Sequence, residues 1–286
     1  MKIIPVAFDS LGVRSMCTFL RTDKKILIDP GAALGPSRYG LPPHKLEIEK
    51  LYELKNEIEK YAKEAEILTI SHYHYDHYSP DNPEMYKNKV LLIKHPKEKI
   101  NRSQFGRASR FLEQIGNLPK KLEFADGKSF EFGKTKIKFS KPCFHGSKNS
   151  KLGYVIMCSI SYKNRKILHA SDVQGPILEE TSREIISENP DLLIISGYPT
   201  LFLGWRFSAK DFEKSLSNLI DILEKTKVEK VILDHHLVRD LHYKEKISKV
   251  LKAAKEFGKE ILTAAEYLGK EPEFLEALRK ELYERY

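Results

Sequence analysis

Residues 71–77 read Ser71-His72-Tyr73-His74-Tyr75-Asp76-His77 and follow directly on a β-type run, Ile67-Leu68-Thr69-Ile70. This stretch constrains the fold more than any other. A strand end holds its backbone rigidly, so side chains just beyond it are presented with fixed geometry. His72 and His74 are two residues apart and point the same way if the strand continues. The chain must bend in the loop that follows, which carries Asp76 and His77 towards a second ion. Imidazole and carboxylate together suit zinc, and also manganese or iron. The bland alternative is a polar loop that is histidine-rich by accident. Three histidines and an aspartate at this spacing argue against it.

These residues resemble the His-x-His-x-Asp-His motif of the metallo-β-lactamase superfamily, which needs three further ligands in a fixed order. The chain offers each of them. His145 follows the run from Phe130 to Phe139, which looks like the family's hairpin before its third histidine. Asp172 closes Ile167-Leu168-His169-Ala170-Ser171-Asp172, and His235 follows Val231-Ile232-Leu233. The resemblance spans roughly residues 3–262. It implies an α/β fold, an αββα four-layer sandwich, with two sheets face to face and helices on both outer surfaces. Residues 1–286 are expected to form a single domain of this kind, with the metal site at one edge between the sheets.

The resemblance also implies a ligand set. His72, His74 and His145 hold one ion, Asp76, His77 and His235 hold the second, and Asp172 bridges both. The cofactors expected are two divalent ions, zinc first, with manganese or iron as alternatives. Such ions about 3.5–4 Å apart share a bridging hydroxide, made available because metal lowers the pKa of water towards ~7. Asp76 and Asp172 are the expected catalytic carboxylates, Asp76 also orienting the hydroxide. Hydrolysis of an ester, amide, lactone, thioester or phosphodiester is compatible with this device.

His236 sits beside His235, and position just after the strand favours His235 as the ligand. His236 then protonates a leaving group or sits outside. Asp29, in Asp29-Pro30-Gly31, resembles the family's Asp-x-Gly near the metal floor and is read as supporting the site without ligating. His169 is expected to be packed or on the surface, and His44, His95 and His242 on the surface. After His77 the chain reads Tyr78-Ser79-Pro80, without the glycine of glyoxalase II and the tRNA 3′-processing enzymes. Between Asp172 and His235 there is no room for the inserted domain of the β-CASP nucleases. A compact archaeal branch is expected.

The formal net charge of +9 and a pI near 9.1 suggest an anionic partner, a small or medium substrate or a nucleic acid. Simple solvation of a Lys/Glu-rich surface explains the same charge. Lys94, Lys97, Lys99, Arg102, Arg107 and Arg110 fall between the second and third ligand motifs. They read either as a phosphate-binding surface, with Arg102 and Arg107 touching substrate, or as an exposed helix. Residues 197–207 form an unusually apolar loop: a lid or pocket wall with Tyr198 and Thr200 as polar contacts, or a subunit interface or core plug. Cys17, Cys143 and Cys158 lack CxxC spacing and read as buried thiols in a reducing cytoplasm. No apolar run approaches the ~20 residues of a membrane span, and the start of the chain has no signal-peptide pattern. Glutamine is limited to Gln104, Gln114 and Gln174, a thermophile-like bias.

The first third reads as strands over 2–8, 16–21 and 26–29, the last two forming a hairpin across Thr22-Asp23. An irregular loop over 31–43 precedes a helix with the stripe Leu51, Leu54, Ile58, Tyr61 and Ala65. A strand over 90–94, a helix late in the basic segment, and a second hairpin over 153–170 follow. Strand–helix alternation completes the chain: a helix capped by Ser208, one burying Tyr243, Ile247, Val250, Leu251 and Ala254, a capping box at Thr263 and Glu266, and a last helix from Pro272. Three functions are compatible: a binuclear hydrolase, a nuclease using the basic segment 94–110, and a non-catalytic metal-binding protein.

Overall fold

Short runs of Val, Ile, Leu and Phe build two sheets in this computed structural model, which describes residues 1–148 and 150–285. The first sheet runs in the order β1 (Lys2–Phe8), β2 (Met16–Arg21), β3 (Lys25–Ile28), β4 (Ile67–Ile70), β5 (Val90–Ile93) and β6 (Lys121–Phe124). The β1–β2–β3 meander is antiparallel, with the expected hairpin between β2 and β3, whereas β3 to β6 are parallel. Parallel neighbours need crossovers. Helices α1 (Lys45–Glu64) and α2 (Arg102–Ile115) lie on two of them.

The second sheet starts with β7 (Ser129–Phe132) and β8 (Thr135–Phe139). A separate ribbon pairs β9 (Cys143–Phe144) with β10 (Tyr154–Val155). Strands β11 (Cys158–Tyr162), β12 (Arg165–Ala170), β13 (Leu192–Ser196), β14 (Lys230–Asp234) and β15 (Glu260–Leu262) complete the sheet in the order β15-β14-β13-β12-β11-β8-β7. Helices α3 (Glu179–Glu188), α4 (Ala209–Lys225), α5 (Tyr243–Lys246) and α6 (Ser248–Glu256) follow the parallel strands, and α7 (Ala264–Tyr267) and α8 (Arg279–Arg285) come last.

The period of two along each strand of the second sheet separates two cores. Ile167, Leu192, Ile194 and Ile232 face the first sheet and share a cluster with Phe19, Leu27, Leu68 and Leu91, and with Leu54, Ile58 and Phe111 of α1 and α2. Leu168, Leu193, Ile195, Val231 and Leu233 face the other way, against Phe212, Leu216 and Leu219 of α4 and Val250 of α6. The layers are therefore helix, sheet, sheet, helix, as expected. Each fully buried Leu, Ile or Phe contributes about 1.5–3 kcal/mol. All three cysteines are buried free thiols. Among the described residues no helix is long and apolar enough to cross a membrane.

The structure corrects several local expectations. The hairpin over 153–170 is interrupted: β10 leaves the sheet to pair with β9, and His145 N donates to Gly153 O at 2.9 Å. The stripe from Tyr243 to Ala254 is carried by two helices that break at Ile247. Pro272 does not start a helix, because residues 273–279 are held by long-range contacts instead. Glu273 N donates to Ser10 O at 2.8 Å, and Arg14 grips Glu276 through Nε and Nη2 at 2.6 and 2.5 Å. Arg279, fully buried, meets Glu47 of α1 with two nitrogens at 2.7 Å each and also donates to Gly35 O and Leu41 O. His44 is not a surface residue. It is buried as the N-cap of α1, where its ring accepts Leu46 N and its own N–H donates to Glu47.

Candidate metal centre

Strand ends deliver the candidate ligands. β4 ends at Ile70 and releases Ser71 and His72, β12 ends at Ala170 before Ser171 and Asp172, β14 runs into His235, and the β9 ribbon ends before His145. All seven side chains converge. Asp172 Oδ2 lies 2.8 Å from His145 Nε2, 3.2 Å from His72 Nε2 and 3.3 Å from His77 Nε2, while Oδ1 lies 3.2 Å from His235 Nε2. His72 Nε2 and His74 Nδ1 are 3.0 Å apart. Asp76 lies 3.6 Å from His235 Nε2 and 3.9 Å from His77 Nε2. The donor atoms fall into three overlapping groups: His72, His74, His145 and Asp172; Asp76, His77 and His235; and Asp172, His235 and His236.

These spacings fit metal ions. Two donors about 2.0–2.1 Å from one tetrahedral ion stand about 3.3 Å from each other. The tautomers fit as well. Ser71 Oγ donates to Asp29 Oδ2 at 2.7 Å, so at 2.9 Å it accepts from His72 Nδ1–H. Asp29 Oδ2 accepts from His77 Nδ1 at 3.0 Å, and Asp9 Oδ2 accepts from His235 Nδ1 at 2.6 Å. Each of these rings thus presents Nε2 to the cluster, the arrangement that supporting hydrogen bonds give metal-ligating histidines. His77 Nε2 and Asp172 Oδ1 are buried without a hydrogen-bond partner. Both residues belong to the groups of donor atoms that could hold an ion.

A supporting layer holds this geometry. Ser71 N donates to Asp29 Oδ1 at 2.7 Å, so Asp29 fixes both the strand end and the ring of His77 without joining the ligand groups. Arg239 Nε donates to Asp9 Oδ1 at 2.5 Å, and Asp234 accepts from the backbone of Ser10, His235 and Ala264. Gln104 ties two ligand loops together, accepting from Tyr73 N at 3.1 Å and donating to Leu152 O at 2.6 Å. Asp29, Asp172 and His235 all have left-handed backbone, with φ of 49°, 51° and 63°. Such conformations cost of order 1–3 kcal/mol and persist only where the surroundings impose them. Asp9, Asp234, Arg239 and Gln104 were not anticipated from the sequence. The available signal was a carboxylate at the end of an apolar strand, present at Asp9 just after β1 and at Asp234 as the last residue of β14.

Charge within the cluster is strongly coupled. Burial pushes His72 down to about 4, with the neighbouring charge of His77 adding to the effect. Burial also opposes protonation of His77, but Asp172 and Asp76 outweigh it and hold this ring well above its ordinary value. His235 is raised to about 9, since Asp9 and Asp172 overcome its desolvation. Burial would raise Asp9, but Arg239 and His235 bring it down to about 2.

Other expected residues lie elsewhere or are engaged. His236 is largely buried, with Nδ1 3.8 Å from Asp172 Oδ1 and no hydrogen-bond partner. His169 is packed in the core and meets Met16 O at 2.9 Å. Tyr198 and Thr200 do not offer polar contacts to a pocket: both are buried, and their hydroxyls donate to Ser208 O and Asp240 Oδ2. The basic segment is not one continuous surface. Lys94 is buried and paired with Asp126 at 2.6 Å. Arg102 is exposed at the start of α2, while Arg107 lies over the ring of Tyr75 at 4.6 Å.

Comparison with known proteins places this site in context. No family model matches the chain. YhfI from Bacillus subtilis, a metallo-β-lactamase fold protein, superposes with a TM-score of 0.52 at 16% identity, over 91% of this chain and 94% of its own. Tm1679, described as a metal-dependent hydrolase of the β-lactamase superfamily, superposes with a TM-score of 0.51 at 14% identity, over 91% and 94%. The fold is therefore the metallo-β-lactamase fold. The UPF0282 protein of Methanocaldococcus jannaschii is 48% identical over 99% of this chain and 96% of its own length. With that identity over its whole length, the chain belongs to the UPF0282 family of archaeal proteins.

Proposed function

We propose that this protein is a binuclear metal-dependent hydrolase of small or medium anionic substrates with an ester, lactone or phosphodiester bond. His72, His74 and His145 would hold one divalent ion and Asp76, His77 and His235 a second, with Asp172 between them; zinc suits the nitrogen-rich donor set best. The observation that carries this reading is the Asp172 carboxylate, whose two oxygens stand within 3.3 Å of four imidazole nitrogens. When bound, such a pair lowers the pKa of water to about 7 and neutralises an oxyanion forming on the substrate.

The chain's own residues do the rest. Asp76 is the least buried carboxylate of the set, with a side chain 18% exposed, and its oxygens face His77 and His235 from the open side. It orients the attacking water. His236 borders the same space, where burial and the neighbouring charge of His235 hold its pKa well below the ordinary histidine value. Asp9, Asp29 and Ser71 keep the ligand rings fixed, so little reorganisation accompanies the reaction. The metal-dependent hydrolase named among the fold neighbours supports the reaction class, although one fold serves many chemistries.

The test is a stripped protein reconstituted separately with zinc, manganese and iron and assayed on carboxylic esters, lactones and phosphodiesters. Metal-dependent turnover that Asp172→Ala abolishes while the fold persists is the expected result. An Asp172→Ala protein with wild-type metal content and turnover overturns the reading.

A further inference from the structure

A second site stands beside the metal loop. A cavity of about 540 Å³ lies between α1, α2, the segment after β3 and residues 75–85, and none of the candidate ligands lines it. Its size is within the range of about 300–1,000 Å³ typical of small-molecule sites. We propose that this cavity binds an organic anion with an aromatic or branched-alkyl body.

The floor is apolar, made by Leu34, Leu51, Ile58 and Met85. The wall from α2 carries Arg107 and Arg110. Arg107 lies over Tyr75 and donates to Tyr73 O at 3.3 Å, and Arg110 Nε donates to Gly106 O at 3.3 Å. Among the described residues neither guanidinium meets a carboxylate, and most of their donors are unspent. The acidic groups of the cavity are already engaged: Asp81 pairs with Lys55 at 3.0 Å, and Glu59 accepts from Asn82 at 2.8 Å. The Asn82 amide is neutral and leaves the charge of Glu59 in place, but Lys55, Arg107 and Arg110 still outnumber Asp81 and Glu59 by one positive charge. Two guanidinium groups on one wall of an apolar cavity favour a carboxylate, sulfonate or phosphate joined to a hydrophobic body. Tyr75, 41% exposed, adds an aromatic face beside Arg107. Because no candidate metal ligand lines the cavity, this assignment does not depend on the metal centre or on hydrolysis.

The full chain, as purified and again after chelation, is titrated with 1-anilinonaphthalene-8-sulfonate and with the neutral N-phenyl-1-naphthylamine, following fluorescence. The sulfonate is expected to saturate one site in both preparations. Arg110→Gln, at an exposed helix position, weakens it by about tenfold, the size of one charge-assisted hydrogen bond. The Arg107→Gln/Arg110→Gln double variant weakens it further, while the neutral probe is unaffected. Sulfonate titrations of both variants that superimpose on wild type overturn the proposal. So does an equal loss of both probes, which would mean that the arginines shape the cavity without reading charge.

Discussion

Asp29 Oδ2 stands 3.0 Å from His77 Nδ1 and 2.7 Å from Ser71 Oγ, so one carboxylate steers two candidate ligand rings, His77 directly and His72 through the serine. Removing its charge while keeping its shape tests that role. Asp29→Asn is expected to lower metal affinity by about 10–100-fold, the usual cost of losing a partner that supports a ligand. Competition with a chromophoric chelator measures it. Unchanged affinity would show that Asp29 only closes the turn.

Gly31 is the backbone counterpart of that support. A Cβ at this position would fall 2.2 Å from Tyr78 N and 2.8 Å from His77 N, so the backbone carrying the candidate ligand His77 must move. Gly31→Ala is expected to destabilise the fold by about 1–3 kcal/mol, in the range of core overpacking, and to reduce metal content. Gly106, in α2, meets nothing within 4 Å, and Gly106→Ala should stabilise by up to ~1 kcal/mol through helix propensity. Thermal unfolding of the two variants should shift in opposite directions.

Protonation gives a third test. In the metal-free protein His235 titrates at about 9, and His77 is also held high, by Asp172 and Asp76 against its burial. His235 therefore carries a proton at pH 7.5, the shift of His77 acts in the same direction, and ligation requires both rings neutral. Zinc uptake should release protons, and its apparent affinity should rise with pH up to about 9. The metal-free fold should behave oppositely. A raised pKa stabilises the fold fully below the unfolded value of about 6.5, and that stabilisation is lost as pH rises through about 9. Calorimetry in buffers of different ionisation enthalpy reads the proton release, and no buffer dependence would contradict it.

Arg279 and Glu47 offer a stability test far from the ligands. Both side chains are fully buried and joined by two bonds of 2.7 Å. Arg279→Met leaves the Glu47 carboxylate buried without a counter-charge, held only by His44 N–H, and should cost about 3–5 kcal/mol. The double variant with Glu47→Met should recover most of that loss in denaturant titrations. If the double variant is as unstable as the single one, the arginine acts through Gly35 O and Leu41 O instead.

The sequence made the layers and the ligand groups legible because both depend on local pattern. Alternating Val, Ile and Leu fixed where strands run, and His72, His74, Asp76 and His77 advertise themselves by spacing. What stayed hidden was set by contacts across long separations. Asp9 meets His235 across 226 residues and Arg239 across 230, and nothing near Asp9 announces either. Lys94 looked like part of a basic surface, but Asp126, 32 residues on, draws it inside. Tyr198 and Thr200 looked available because the loop around them is apolar, and their hydroxyls are committed to Ser208 and Asp240.

The clasp between Arg279 and Glu47 also has a consequence for the order of events during synthesis. Glu47 leaves the ribosome 232 residues before its partner, and Arg14 emerges 262 residues before Glu276. Ser10, which donates to Asp234, waits as long to accept from Ala265 N. Until residues 264–279 are made, helix α1 carries the Glu47 carboxylate without its arginine, and Ser10, next to Asp9, lacks its bond from Ala265 N. The nascent chain can therefore pair its strands before residues 264–279 supply their contacts to Ser10 and Glu47. Residues 264–279 thus complete a frame whose other half, around Ser10 and Glu47, is made more than two hundred residues earlier.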